Sequence, residues 1–274
     1  MPIKDRDFQY IRTLVRSRTG VVLTEDKTYL VESRLAFLVK EAGVSSLEKL
    51  LVKLQSESFS TLHQHVIEAM MTTETLFFRD IEPFEALKEF LLPELIEKRQ
   101  SQRNLNIWSA ACSSGQEPYS IAMLIREKFP QLASWKISLI ASDISSKMLD
   151  LARTGCYNQH QISRGLPVEL VDKYFHRLGT EWQIDRQIRH MVEFHQFNIL
   201  ETWPLLPAMD IIFLRNVLIY FDVSTKKEIL AKVRQLLRPD GYLFLGGGET
   251  TINLDDGFEP VKLNKAIGYR LRKI

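Results

Sequence analysis

Four runs of this chain carry side chains able to bind or align a ligand, and each adjoins an apolar stretch. In Ile107-Trp108-Ser109-Ala110-Ala111-Cys112-Ser113-Ser114-Gly115-Gln116-Glu117, apolar residues feed a turn of small ones. Such a turn lets a ligand approach backbone N–H groups at the carboxyl end of a strand. Gly115 is the one glycine of this turn, so the Gly-x-Gly-x-x-Gly fingerprint is absent and an ordinary strand-to-helix turn is the alternative. Leu139-Ile140-Ala141-Ser142-Asp143 ends in an acid that can accept from both hydroxyls of a ribose or, alternatively, cap the next helix. Asp210-Ile211-Ile212-Phe213-Leu214-Arg215-Asn216 ends in polar groups, and Asn198 follows Phe194 and Phe197 at the end of another run. The fourth run, Thr73-Glu74-Thr75-Leu76-Phe77-Phe78-Arg79-Asp80, couples paired aromatics to an arginine, which on its own could be a packing element with a surface charge.

These runs need elements to hold them. Residues 1 to about 72 show only helical periodicity: Phe8, Ile11, Leu14 and Val15 fit one helix, and Leu47, Leu50, Leu51 and Leu54 fit another. Between them Thr24 can cap a helix running toward a stop at Gly43. From about residue 73 helices alternate with short apolar strands at 105–108, 137–141, 210–214 and 242–245, which predicts right-handed crossovers and a mainly parallel sheet. Residues 258–263 and 266–272, around Asn264-Lys265, read as a hairpin that closes the sheet with an antiparallel strand. The alternation breaks between Gly155 and His195, where 181–189 and 191–194 read as a small antiparallel insertion. No Pro- or Gly-rich linker marks the junction near Met71 to Thr75.

Composition excludes several function classes. Lys plus Arg is 36 against 34 Asp plus Glu, a net charge of +2, far from the basic balance of a chain that binds nucleic acid through its phosphates. No stretch approaches the roughly 20 apolar residues that span a bilayer, and the first residues lack a signal core, so no membrane insertion and a cytoplasmic location are expected. Two cysteines, Cys112 and Cys156, and histidines without ligand spacing predict free thiols and no metal.

Taken together, Thr73-x-Thr75-x-Phe77-Phe78-Arg79, Trp108-Ser109-Ala110-Ala111 through Gly115-Gln116-Glu117-Pro118-Tyr119-Ser120, Arg215-Asn216-Val217-Leu218-Ile219-Tyr220-Phe221 and Leu237-x-Pro239-x-Gly241-Tyr242-Leu243 resemble the CheR chemotaxis methyltransferases over nearly the whole chain. The resemblance implies a Rossmann-like class I S-adenosylmethionine methyltransferase domain at 73–274, mainly a parallel seven-stranded sheet. A small antiparallel β-subdomain is inserted at 157–195, and an all-α receptor-recognition domain covers 1–72. It implies S-adenosylmethionine as cofactor, S-adenosylhomocysteine as product, and glutamate side chains on the cytoplasmic methylation helices of chemotaxis receptors as substrate.

Residue by residue, the resemblance puts Thr73, Thr75 and Arg79 at the methionine end of the cofactor, Ala111 and Glu117 at its amino-acid moiety, and Asp143 on the ribose. Asn198 and Ile199 would flank the adenine, Arg215 and Asn216 the sulfonium, and Tyr220 the transferring methyl, with Arg79 and Tyr220 as the catalytic pair. Arg79 could equally clamp the incoming carboxylate or the cofactor's own. Arg34 occupies the place of a receptor-contacting basic residue, and Arg12, Arg16, Lys27 and Lys40 add positive charge to the same region. The pattern departs from the family at Thr73, often Asn there, at Gln116, and at Ala36 and Phe37, where relatives are more basic. The run Leu178-Gly179-Thr180-Glu181-Trp182 lacks the glycine-rich loop that binds a receptor's C-terminal pentapeptide, so that tether is expected to be dispensable. A nucleic-acid methyltransferase fits less well, because Asn216-Val217-Leu218-Ile219 is not the Pro-Pro-aromatic run that holds a flipped base. A catalytically silent module that binds the cofactor as a regulator is the remaining alternative.

Overall fold

A computed structural model describes residues 3–273, which fall into two compact units. One runs to Thr72 and takes in Tyr220–Thr225; the other holds Thr73–Ile219 and the chain from Lys226 onward.

The first unit is helical: α1 (Asp5–Thr19), α2 (Thr28–Glu41), α3 (Leu47–Ser56) and α4 (Thr61–Met70). Acidic Asp5 and Asp7 in the first turn of α1 and basic Arg16 and Arg18 in the last complement the helix dipole, and Gly20 at φ 71° ends the helix with its N–H on Arg16 O. Ser46 caps α3, and Ser60 and His63 form a reciprocal capping box on α4. The apolar faces close on one another through Phe8, Ile11, Val15, Val31, Leu35, Leu50, Leu54 and Val66, all buried. Thr24 does not cap α2; it precedes a 3₁₀ turn, Glu25–Lys27, and its side chain makes no cap bond.

In the second unit, α5 (Glu82–Ala86) runs through a π-helical turn, Leu87–Leu91, into α6 (Leu92–Arg99). The strands are β1 (Asn104–Ala110), β2 (Lys136–Asp143), β3 (Cys156–Tyr157), β4 (Phe175–Leu178), β5 (Glu181–Ile184), β6 (Val192–Gln196), β7 (Met209–Leu214), β8 (Leu237–Leu245), β9 (Phe258–Leu263) and β10 (Ala266–Leu271). Between them lie α7 (Gln116–Lys128), α8 (Ser146–Thr154), α9 (Gln159–Ser163), α10 (Val168–Tyr174) and α11 (Arg186–Arg189), followed after β7 by α12 (Val223–Leu236).

Seven strands form one sheet in the order β6-β2-β1-β7-β8-β10-β9, parallel except for the β9–β10 hairpin, whose β10 pairs antiparallel with β8. Central β7 is buried along its whole length, as a strand covered on both faces must be. A second sheet, β3-β5-β4, is small and antiparallel.

Two boundaries differ from the sequence reading. Residues 191–194 belong to β6, the parallel edge strand of the large sheet beside β2, so the insertion read as 157–195 gives up its last strand to that sheet, and its first strand begins at Cys156. Residues 186–189 are helical, with Asp185 as the cap that accepts from Gln187 N–H. Apolar alternation identifies a strand but not its partner, and here the partner lies some fifty positions earlier in the chain.

At the amino edge of the sheet an ionic cluster ties α6 to three strands. Arg99 donates from Nε to Asp210 Oδ1 at 2.9 Å and from both terminal nitrogens to Asp240 at 3.0 and 2.6 Å, while Asp210 Oδ2 accepts from Asn106 N–H at 2.8 Å. Asp210 is fully buried, so these bonds replace the water its charge gives up.

Candidate active site

The parallel register brings the candidate residues to one level. Ala110 pairs with Ser142 on one side and Leu214 on the other, so the next residues, Ala111, Asp143 and Arg215, emerge side by side at the carboxyl edges of β1, β2 and β7. On the far side of β2, Asp143 pairs with Gln196, two residues before Asn198. A doubly wound sheet takes ligands at this edge.

The turn from β1 to α7 is bent by Ala111 (φ 53°), Ser113 (φ 51°) and Gly115 (φ 91°). A Cβ on Gly115 would meet Ala152 Cβ at 2.9 Å, so only glycine fits both the backbone angle and the contact with α8. Asp143 holds the turn: Oδ2 accepts Ser113 N–H at 2.8 Å and Oδ1 accepts Ser145 N–H at 2.9 Å. The cap of α8 is Ser145, which accepts Met148 N–H, so the helix-cap alternative for Asp143 falls away. Each Asp143 oxygen keeps lone-pair capacity for a further donor. Burial pushes its carboxyl up from the ordinary range, partly offset by the N–H groups of Ser145 and Ser113.

Glu117, in the first turn of α7, accepts from Ser109 Oγ at 2.8 Å and from Arg215 Nη1 at 2.9 Å. Arg215 is buried and also donates from Nη2 to Arg79 O at 2.8 Å and to Asp80 Oδ2 at 2.9 Å. Its Nε is buried with no partner. Ser113 Oγ donates to Thr73 O at 2.7 Å and Phe78 N–H to Ser120 Oγ at 2.9 Å. Three anchors therefore fasten the Thr73 to Asp80 segment over the β1–α7 turn, which places Thr73, half-buried Thr75 and Arg79 beside Ala111 and Glu117. Among the described residues only one guanidinium nitrogen of Arg79 is bonded, Nη1 to Glu74 O at 3.2 Å. Asn198 and Ile199 are both buried, and Asn198 Oδ1 accepts Leu200 N–H at 3.0 Å. Asn216 sits at φ 58°, a left-handed angle that asparagine tolerates.

Sequence reasoning missed the residues that hold these groups in place: Ser109, Ser113, Asp80 and above all Glu249. Glu249 accepts N–H bonds from Asn216 at 2.8 Å, Gly246 at 2.7 Å and Ile219 at 3.1 Å, tying the loop after β8 to the loop after β7. A Cβ on Gly246 would lie 2.5 Å from Asn216 Nδ2, so the close approach needs glycine. The run Gly246-Gly247-Gly248-Glu249 at a strand end was the available signal.

The remaining candidates group with the helical unit. Tyr220 belongs there, its carbonyl accepting Val22 N–H at 2.9 Å. Arg16 is paired with Asp222 at 2.7 Å, and Arg34 donates to Met70 O at 2.8 Å and Met71 O at 3.3 Å. Arg12 reaches Gln9 at 3.5 Å, Lys27 is half-buried and Lys40 is exposed. The predicted basic set is thus partly engaged within the unit, with Arg34 satisfying carbonyls at the end of α4.

Two family models match. The all-alpha domain of the CheR methyltransferases covers residues 6–71 and their SAM binding domain covers 73–267. The chain belongs to the CheR methyltransferase family. Chemotaxis protein methyltransferase Cher2 of Pseudomonas putida is 42% identical over 97% of this chain and 98% of its own length. Chemotaxis protein methyltransferase 1 of Pseudomonas aeruginosa is 42% identical over 99% of this chain and 100% of its own. Among solved structures, a magnesium protoporphyrin IX methyltransferase from Synechocystis with bound SAM aligns at 15% identity and a TM-score of 0.36, over 74% of this chain and 87% of that one.

As a CheR methyltransferase the chain is an S-adenosylmethionine-dependent enzyme. The donor set fits that cofactor: Asp143 at the end of β2 and Glu117 in the first turn of α7 offer acceptors for hydroxyl and ammonium groups, and the Arg79 fork and the unpartnered Arg215 Nε offer donors. Among the described residues no helix is long and apolar enough to cross a membrane, and no cluster of three or more candidate metal ligands occurs.

Proposed function

We propose that this chain methylates glutamate side chains on the cytoplasmic methylation helices of chemotaxis receptors, giving methyl esters and S-adenosylhomocysteine and thereby setting sensory adaptation. The relatives' names, chemotaxis protein methyltransferases, support the process, and the alignment of Ala111, Asp143 and Arg215 at one sheet edge is the observation that carries the chemistry. Bound S-adenosylmethionine supplies an electrophilic methyl on a positive sulfur. A glutamate acceptor, with a reference pKa of about 4.3, is already an anion at neutral pH, so no side chain has to remove a proton. The absence of a histidine among the candidate residues is consistent with that.

The protein's task is then alignment, worth roughly 7–11 kcal/mol in favourable cases. Asp143 takes ribose hydroxyls on its remaining lone pairs. Glu117, with one oxygen neutralised by Arg215, takes the amino group of the methionine moiety on the other, and Asn198 with Ile199 flanks the adenine. Arg79, whose Nε and Nη2 make no hydrogen bond among the described residues, forks onto the incoming carboxylate. The role of Tyr220 near the methyl and those of Arg12, Arg16, Lys27, Arg34 and Lys40 at the receptor rest on the resemblance alone. Binding proceeds in the cytoplasm and without the receptor's C-terminal pentapeptide.

Arg79 provides the test. In Arg79→Ala, receptor methylation should fall about 10- to 100-fold, the equivalent of a lost charge-assisted hydrogen bond, while S-adenosylhomocysteine affinity by calorimetry stays within about twofold. A fall in S-adenosylhomocysteine affinity would move the arginine to the cofactor carboxylate, and a wild-type rate would remove it from the site.

A further inference from the structure

A group of arginines with few counter-charges lies apart from the cofactor edge. A cavity of about 330 Å³ is lined by Arg153, Arg186, Arg189 and His190 together with Tyr119 and Phe194. Arg153 is in the last turn of α8, and α11 leads directly into the amino end of β6. Ala152, the neighbour of Arg153, packs against Gly115 of the β1–α7 turn and accepts from Tyr119 Oη at 2.6 Å, so the cavity lies among α7, α8, α11 and β6, and none of Ala111, Asp143 and Arg215 lines it.

The cations there are under-compensated. Arg153 donates to Asp150 Oδ1 at 3.0 Å and to Phe194 O at 3.3 Å. Among the described residues Arg189 donates only to the Thr154 carbonyl, at 3.2 Å, and its buried Nε has no partner there. Arg186 donates from Nε to His190 Nε2 at 3.3 Å, and Arg126 adds a fourth guanidinium next door through Gln187 at 2.7 Å. Of the nearby acids, Asp185 caps α11 by accepting the N–H of Gln187 at 2.7 Å and Glu193 is exposed, and neither is ion-paired with these arginines. Among the described residues neither Arg186 nor Arg189 forms an ion pair, while Asp150, the one carboxylate on the cluster, is 73% exposed.

Guanidiniums stay charged at any physiological pH, so holding several around one cavity is unfavourable unless an anion joins them. Their planar forks match phosphate oxygens, the volume falls at the small end of the range for ligand cavities, about 300 Å³, and the ring of Phe194 offers an apolar face beside them. We propose that this cavity binds a phosphate monoester or diphosphate, whose oxygens bridge Arg186 and Arg189, at a site separate from that of S-adenosylmethionine.

Titration calorimetry on the full chain with pyrophosphate, AMP and adenosine, each with and without saturating S-adenosylhomocysteine, tests this. Pyrophosphate and AMP should bind at one per chain, with affinities changed less than about twofold by S-adenosylhomocysteine, and adenosine should not bind. Tighter binding of AMP points to a nucleotide as the source and tighter binding of pyrophosphate to a free diphosphate, both within the proposal. Arg186→Gln, at an exposed position that leaves folding intact, and Arg189→Gln should each weaken pyrophosphate at least about tenfold, the effect of one lost charge-assisted bond, with S-adenosylhomocysteine affinity unchanged. No binding of either phosphate, displacement by S-adenosylhomocysteine, or undiminished pyrophosphate affinity in Arg186→Gln would overturn it.

Discussion

Asp143 does two jobs with one carboxylate. It fastens the turn after β1 through Ser113 N–H and its own following turn through Ser145 N–H, and it turns its remaining lone pairs toward the carboxyl edge of the sheet. Burial raises its pKa, so the ionised form that accepts hydroxyl donors is lost at a higher pH than for a free aspartate. S-adenosylhomocysteine affinity should therefore be level at neutral pH and above, then decline as pH falls through that raised value. In Asp143→Asn the affinity should be about 10- to 100-fold lower at neutral pH and the acid-side decline should vanish. Calorimetry across a pH series reads both; a wild-type decline that persists in the variant would assign it to another group. Much of this was legible beforehand, because an acid closing an apolar run marks a strand end. The supporting serines were not, since a serine's importance depends on what the fold brings opposite it, and Ser113 reaches a carbonyl 40 residues away.

At the scale of elements, the two edges of the sheet are built on different rules. The carboxyl edge is made of bent loops tied by single carboxylates, Asp143 for the loop after β1 and Glu249 for those after β7 and β8. The amino edge is locked by Arg99 between Asp210 and Asp240. Removing the arginine leaves the fully buried Asp210 with Arg238 at 3.3 Å and Asn106 N–H as its partners, so Arg99→Ala should cost about 1.5–3 kcal/mol in urea unfolding, the loss of a charge-assisted hydrogen bond. Hydrogen bonding to Arg99 outweighs burial and holds the Asp240 carboxyl below its ordinary value. A depressed folded pKa contributes stability that is complete above the unfolded value and disappears as pH falls through the folded one. The difference between wild type and Arg99→Ala should accordingly shrink in acid, and an equal difference at neutral and acid pH would rule out the pair as its source. Of the elements themselves, the helical repeats were readable from their period and the 258–263 strand from the turn residues Asn264-Lys265 that follow it. Strand β6 was assigned to the wrong sheet and the cluster was invisible, since both depend on partners far along the chain: β6 pairs with β2, and Arg99 lies 111 residues from Asp210.

The whole molecule joins a helical unit with a sheet unit, and the family it belongs to matches both, from residue 6 to 71 and from 73 to 267. The proposed carboxylate acceptor arrives already ionised, so on that proposal the sheet unit's carboxylates, arginine fork and bent backbone at one edge have three atoms to align and no proton to transfer. The most direct measurement is transfer from S-adenosylmethionine labelled in its methyl group to receptor-containing membranes. Label should enter the receptor, be released as methanol by mild alkali as expected of an ester, and disappear when the receptor's methylation-site glutamates are changed to alanine. Alkali-stable label, or label that survives loss of those glutamates, would contradict carboxylate methylation of receptors by this chain.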